Sequence, residues 1–174
     1  IEYLGVDKDG NKIYEGYYHE FKGIPWVFNK TTYTKEEFAK EFYTCLEEHK
    51  VNLDNLPPLV EPEIFVSYEA WIESKSQLHP NEHLYEVDEL LEDDKEDDMW
   101  QVEIYARLKA DNGQYFTTEE LLFKIHNLMA NKELGDHVFF ENLVYDDHEF
   151  EADEIEDIDD NDEGIPVFVV WLGS

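Results

Sequence analysis

The chain has a single cysteine, few cations, no long apolar run and no glycine-rich phosphate loop, and each shortage removes a class of function. Cys45 alone cannot close an internal disulfide, so a disulfide-stapled secreted scaffold is excluded and a reducing, cytoplasmic setting is expected. No stretch reaches the 18 or so apolar residues of a membrane helix, and no basic segment leads into a short apolar one as in a secretory signal. Cations are scarce in general: 13 Lys and Arg stand against 44 Asp and Glu, a formal charge of −31 at pH 7. Direct binding to nucleic acid or to an anionic membrane is thereby excluded, because phosphates must be met by clustered cations that release their counterions. Proteins that themselves bind nucleic acid stay eligible as partners, since their basic grooves attract such a surface.

What is present is a core. The 174 residues are the size of one domain, and 42% hydrophobic content with 11 Phe, 11 Tyr and 4 Trp can bury a large aromatic area. A single acidic domain over residues 1–174 is expected.

Local patterns predict its elements. Asp9-Gly10 lies between runs at 1–6 and 13–18, a hairpin pattern, and 24–28 reads as a short edge strand holding Pro25. Thr34 and Glu37 form a capping box ahead of Phe38, Phe42, Cys45 and Leu46 at helical spacing, which predicts a helix over about 35–49. Prolines 57, 58 and 62 mark a loop before a strand over 64–71. Asn81 then caps a short acidic helix with Leu84, Val87, Leu90 and Leu91 on its apolar side. From Trp100 the alternation is strict: Val102, Ile104, Ala106 and Leu108 face one way, and Glu103, Tyr105, Arg107 and Lys109 the other, a half-buried antiparallel strand. Asn112-Gly113 turns the chain, and Thr117 with Glu120 caps a second amphipathic helix through Leu121, Leu122, Ile125, Leu128 and Met129. Strands follow over 138–145 and 165–172, the latter apolar enough to be covered on both faces.

The fold class is therefore α+β: a largely antiparallel five- or six-stranded sheet, two main amphipathic helices on one face and a short acidic helix. The parallel between residues 33–38 and 116–121 raises a degenerate duplication, with halves of about 1–80 and 99–174.

His79-Pro80-Asn81-Glu82-His83 spells the H-x-x-E-H pattern of zinc hydrolases, in which the histidines hold the metal and the glutamate is the base. That chemistry needs His79 and His83 on one continuous helix face, whereas Pro80 leaves His79 at or before a helix start. A zinc hydrolase using His79, Glu82 and His83 is thus the weakest reading. The acidic strings at 7–11 and 157–161 lack the sixth-position glycine of a calcium loop. Cys45 falls on an apolar helix stripe and reads as core. No catalytic residue, cofactor or metal is assigned.

The acids are concentrated. Residues 86–98 hold nine and residues 146–163 hold twelve, the latter with no Lys or Arg, so 21 of the 44 lie in two windows. Carboxylates rimming aromatic anchors suit a basic partner. The expected contact set is Glu92, Asp93, Asp94, Asp97, Asp98 and Trp100 in the first cluster. In the second it is Tyr145, Asp146, Asp147, Glu149, Phe150, Glu151, Asp153, Glu154, Glu156, Asp157, Asp159, Asp160, Asp162 and Glu163. The function read from this is a non-catalytic acidic inhibitor that occupies the basic nucleic-acid-binding surface of a partner, as DNA mimics and nuclease-toxin immunity proteins do. The alternative is a scaffold or adaptor whose acidic loop only solubilises it.

Overall fold

The computed structural model describes residues 3–6, 12–14, 21–53, 56–85, 90–146 and 164–174, the first two stretches as backbone. In chain order the elements are β1 (Tyr3–Val6), β2 (Lys12–Tyr14), α1 (Lys35–Glu48), β3 (Glu63–Ile72), β4 (Glu82–Leu84), β5 (Trp100–Lys109), α2 (Thr118–Met129), β6 (Phe139–Asp146) and β7 (Val167–Gly173). β1 and β2 pair antiparallel; their Asp9-Gly10 connection lies outside the described residues. The other five strands form one sheet in the order β4-β5-β3-β7-β6. Three of its ladders are antiparallel, and β3 and β7 pair parallel, so the sheet is mixed. The architecture is α+β with two helices and a five-stranded mixed sheet.

Both helices begin where their caps put them. The Thr34 side chain accepts from the Glu37 N–H while Glu37 accepts from the Thr34 N–H, and Thr117 accepts from the Glu120 N–H. α1 ends without glycine. Lys50 takes the left-handed conformation (φ 56°), letting the Val51 N–H reach the Leu46 carbonyl and the Lys50 N–H the Glu47 carbonyl. The apolar stripes, Phe38, Phe42 and Leu46 on α1 and Leu121, Leu122, Ile125, Leu128 and Met129 on α2, are buried. They share one core with the even-numbered side chains of β3 and β5, from Ile64 to Ile72 and from Val102 to Leu108. Trp26 and Phe28, from the stretch read as an edge strand, also enter this core. Only Val27 makes a strand-like bridge there, to Phe139.

The expected acidic helix after Asn81 is corrected. Glu82, His83 and Leu84 form strand β4, paired with Ala106, Tyr105 and Ile104 of β5. Pairing with the outer edge of β5 satisfies backbone groups that an isolated, highly charged helical turn would leave to water, and tertiary pairing overrides the local pattern. Residues 86–89 lie outside the described set; beyond them Glu92–Asp94 make one 3-10 turn. β7 is also less covered than its apolar run predicts: Val167 is buried, Val169 half-buried and Trp171 49% exposed.

Candidate functional site

Two surface features stand out, both on the part of the sheet where Ile72 pairs with Trp100. The first is the acidic loop before β5. Glu96 and Met99 exchange both backbone hydrogen bonds (2.8 and 2.9 Å) around Asp97 and Asp98, whose φ values are 50° and 65°. Positive φ at both central residues matches a type I′ turn, a conformation that asparagine and glycine adopt more readily than aspartate. The Trp100 indole N–H donates to the Leu91 carbonyl at 2.7 Å, and the Lys95 ammonium lies 4.7 Å from the Trp100 ring centroid. Trp100 therefore clamps the loop's two ends together. Glu92, Asp93, Asp94, Glu96, Asp97 and Asp98 are all exposed, which leaves six carboxylates displayed on a braced turn.

The second feature is a cleft of about 480 Å³ on the sheet face opposite the helices. β3 and β7 pair only from Phe65↔Val167 to Ser67↔Val169, and farther along β3 the backbone of Trp71 is met instead by Glu133, at 2.8 and 3.0 Å. The strands thus part after Ser67. The gap is lined by Glu69 and Trp71 of β3, Glu103 of β5, Val169 and Trp171 of β7, and Glu141 of β6. Glu69 and Glu103 sit directly opposite each other across β3 and β5. Ser67 donates to Glu103 at 3.1 Å. Glu141 reaches the cleft because the β6–β7 register shifts between Phe140 and Asn142, a bulge that re-aims its side chain. Its carboxylate passes over Gly173, where an added Cβ would lie 1.9 Å from Oε1.

Residues that invited catalytic readings are committed elsewhere. Glu82 and Lys132 form an ion pair at 2.8 Å, both side chains fully buried. The Tyr68 hydroxyl donates to Glu82 Oε2, and the His79 backbone N–H donates to Oε1 at 2.9 Å. Burial lowers the Lys132 pKa against the opposing pull of Glu82, while burial and the adjacent carboxylate push Tyr68 well up. Because adjacent strand residues point to opposite faces, Glu82 turns inward and His83 outward, not the shared helix face that zinc chemistry needs. Among the described residues no group of three or more His, Cys, Asp or Glu is placed to hold a metal ion. Burial and Glu48 raise the Cys45 thiol above its ordinary value, and the thiol donates to the Pro25 carbonyl at 2.9 Å. His126 is fully buried, accepting from the Trp26 indole N–H at 3.1 Å and donating from Nε2 to the Thr31 carbonyl at 2.8 Å. Desolvation lowers its pKa.

Of the expected contact residues, Glu92, Asp93, Asp94, Asp97 and Asp98 are brought together on the braced loop. Trp100 is half-buried and clamps the loop through its indole N–H. Tyr145 packs against Phe168, ring centroids 5.5 Å apart, on the core side of the sheet. Asp146 is the last residue of β6, opposite Val167 and so at the other end of the sheet from the 91–99 loop, roughly 25 Å along β3 by strand rise. Asp147, Glu149, Phe150, Glu151, Asp153, Glu154, Glu156, Asp157, Asp159, Asp160, Asp162 and Glu163 lie outside the described residues. Sequence reasoning missed Glu69, Trp71, Glu141 and Trp171. Their period-two spacing on the outward faces of strands was the available signal, but only strand register brings them to one cleft.

No known protein family, characterised protein or solved structure matches this chain. Among the described residues no helix is long and apolar enough to cross a membrane.

Proposed function

We propose that this chain is a non-catalytic acidic binding protein that occupies the basic, nucleic-acid-binding surface of a partner protein. The observation that carries the reading is the 91–99 loop: six exposed carboxylates held by a two-residue turn, an indole clamp and one lysine folded onto that indole. A surface of a formal −31 charge opposes its own compaction, and aspartates at positive φ add strain. Both are costs that a negatively charged docking surface explains. Holding the carboxylates in place before association removes part of the ordering entropy of binding, and their field accelerates encounter with a basic groove. The segment 146–163, with twelve acids and no Lys or Arg, adds to the overall negative field that steers a basic partner.

The experiment is capture of a partner from native lysate at low salt, release at high salt, and then competition between this protein and labelled duplex DNA or RNA for the released partner. Displacement of the nucleic acid is expected. Replacing Asp157, Asp159, Asp160 and Asp162 together by Asn slows association at least about tenfold and flattens its salt dependence, with a smaller effect from Asp93, Asp94, Asp97 and Asp98. A partner that keeps its nucleic acid while bound to this protein overturns the reading.

A further inference from the structure

We propose that the cleft between β3 and β7 receives an arginine side chain of the partner, its guanidinium lying against the Trp171 indole and paired with Glu69 and Glu141. The inference rests on the basic-partner reading above and gives it a pocket. Three observations converge on a planar cation. Trp171 is 49% exposed at the cleft and Trp71 lines the same cavity, so aromatic faces are available to a ligand. Glu69, Glu103 and Glu141 line it with no Lys or Arg, and Glu69 is exposed there, so the lining presents carboxylates to a cation. The bulge in β6 and the missing side chain at Gly173 together allow the Glu141 carboxylate to cross β7 into the cleft.

Arginine fits this set better than lysine. Its guanidinium stacks flat on an indole while its N–H fork still reaches a carboxylate in the same plane, whereas an ammonium is a strongly hydrated point charge. The cleft opens on the side of the sheet away from the helices and near the end where the 91–99 loop enters β5. A basic segment drawn in by that loop therefore meets the cleft next.

The test is calorimetric titration of the full chain with a tetra-arginine peptide and a tetra-lysine peptide at about 0.15 M salt, where exposed charges are largely screened. Wild type should take the arginine peptide at least about fivefold more tightly. Trp171→Ala, Glu69→Gln and Gly173→Ala should each weaken it about tenfold. Gly173→Ala removes no charge, so its effect reports the placing of Glu141 alone. Glu36, Glu47 and Glu48, exposed on α1 on the other side of the sheet, are changed together to Gln as the control and should alter binding less than about twofold. Thermal melts accompany each variant. Should Trp171→Ala fail to fold, Glu69→Gln, a single-atom exchange on an exposed side chain, decides the matter. No preference for arginine, or equal losses in the α1 control and the cleft variants, would mean diffuse attraction and overturns the site. The two proposals fail separately. Cleft variants that displace nucleic acid from the partner as readily as wild type sink the pocket and leave the functional reading, and nucleic acid that stays on the partner while the arginine peptide binds does the reverse.

Discussion

Replacing Lys132 by methionine tests the energetics of an ion pair that the fold has taken wholly out of water. The ammonium donates three hydrogen bonds, to Glu82 Oε1 at 2.8 Å, the Leu128 carbonyl at 2.9 Å and Asn131 Oδ1 at 2.6 Å. Methionine fills much the same volume, so little cavity term enters, and the loss is electrostatic: a carboxylate left in the interior without its cation. Breaking such a pair from one side costs about 3–5 kcal/mol. Here Glu82 keeps the Tyr68 hydroxyl and the His79 N–H as donors, which places the expected loss near the lower bound, about 3 kcal/mol. At about 2–4 °C per kcal/mol for a domain of this size, the melting temperature should fall by roughly 6–12 °C. Urea unfolding monitored by circular dichroism measures the loss directly. Adding Glu82→Gln removes the orphaned charge and should restore about half of it, about 1.5 kcal/mol. If Lys132→Met loses less than about 1 kcal/mol, or the double variant is no better than the single one, the pair does not carry the buried charge energetics argued here.

Two further outcomes follow from the same geometry. His126 holds a depressed pKa in the fold, so the unfolded chain takes up a proton below about pH 6.5 before the folded one does; the stability His126 contributes is full above that pH and drains away as pH falls towards its folded value. Melts between pH 7.5 and 5 should therefore be steeper for wild type than for His126→Gln by up to about 1.4 kcal/mol per pH unit, and identical slopes would refute the assignment. The doubly substituted Asp97→Asn, Asp98→Gly chain places the favoured type I′ pair where two aspartates now sit at positive φ, and should gain about 1 kcal/mol in urea unfolding while slowing association with a basic partner; a loss of stability would show that the turn is not of this type.

The sequence by itself determined what local chemistry determines. The capping boxes at Thr34 and Thr117 and the stripes that follow fixed where α1 and α2 start and which sides they bury, because those signals act within a few residues of one another. Strict alternation from Trp100 gave β5 and its two faces, and Asn112-Gly113 gave the turn after it, with Gly113 at φ 73°. The charge and its concentration in two windows are likewise properties of the sequence. Tertiary structure decided everything that rests on contacts between distant residues. Local pattern made 81–91 a helix, but the exposed edge of β5 drew Glu82–Leu84 into β4, and Lys132, fifty residues away, gave Glu82 a reason to be buried. Only the structure shows the Trp100 indole N–H bracing the loop on the Leu91 carbonyl. Above all, the cleft exists because β7 pairs with β3 over three residues and then leaves it, so that Trp71 and Trp171, a hundred residues apart, line one cavity. Register and splay of that kind are set by long-range pairing, for which no short stretch of sequence carries a signal.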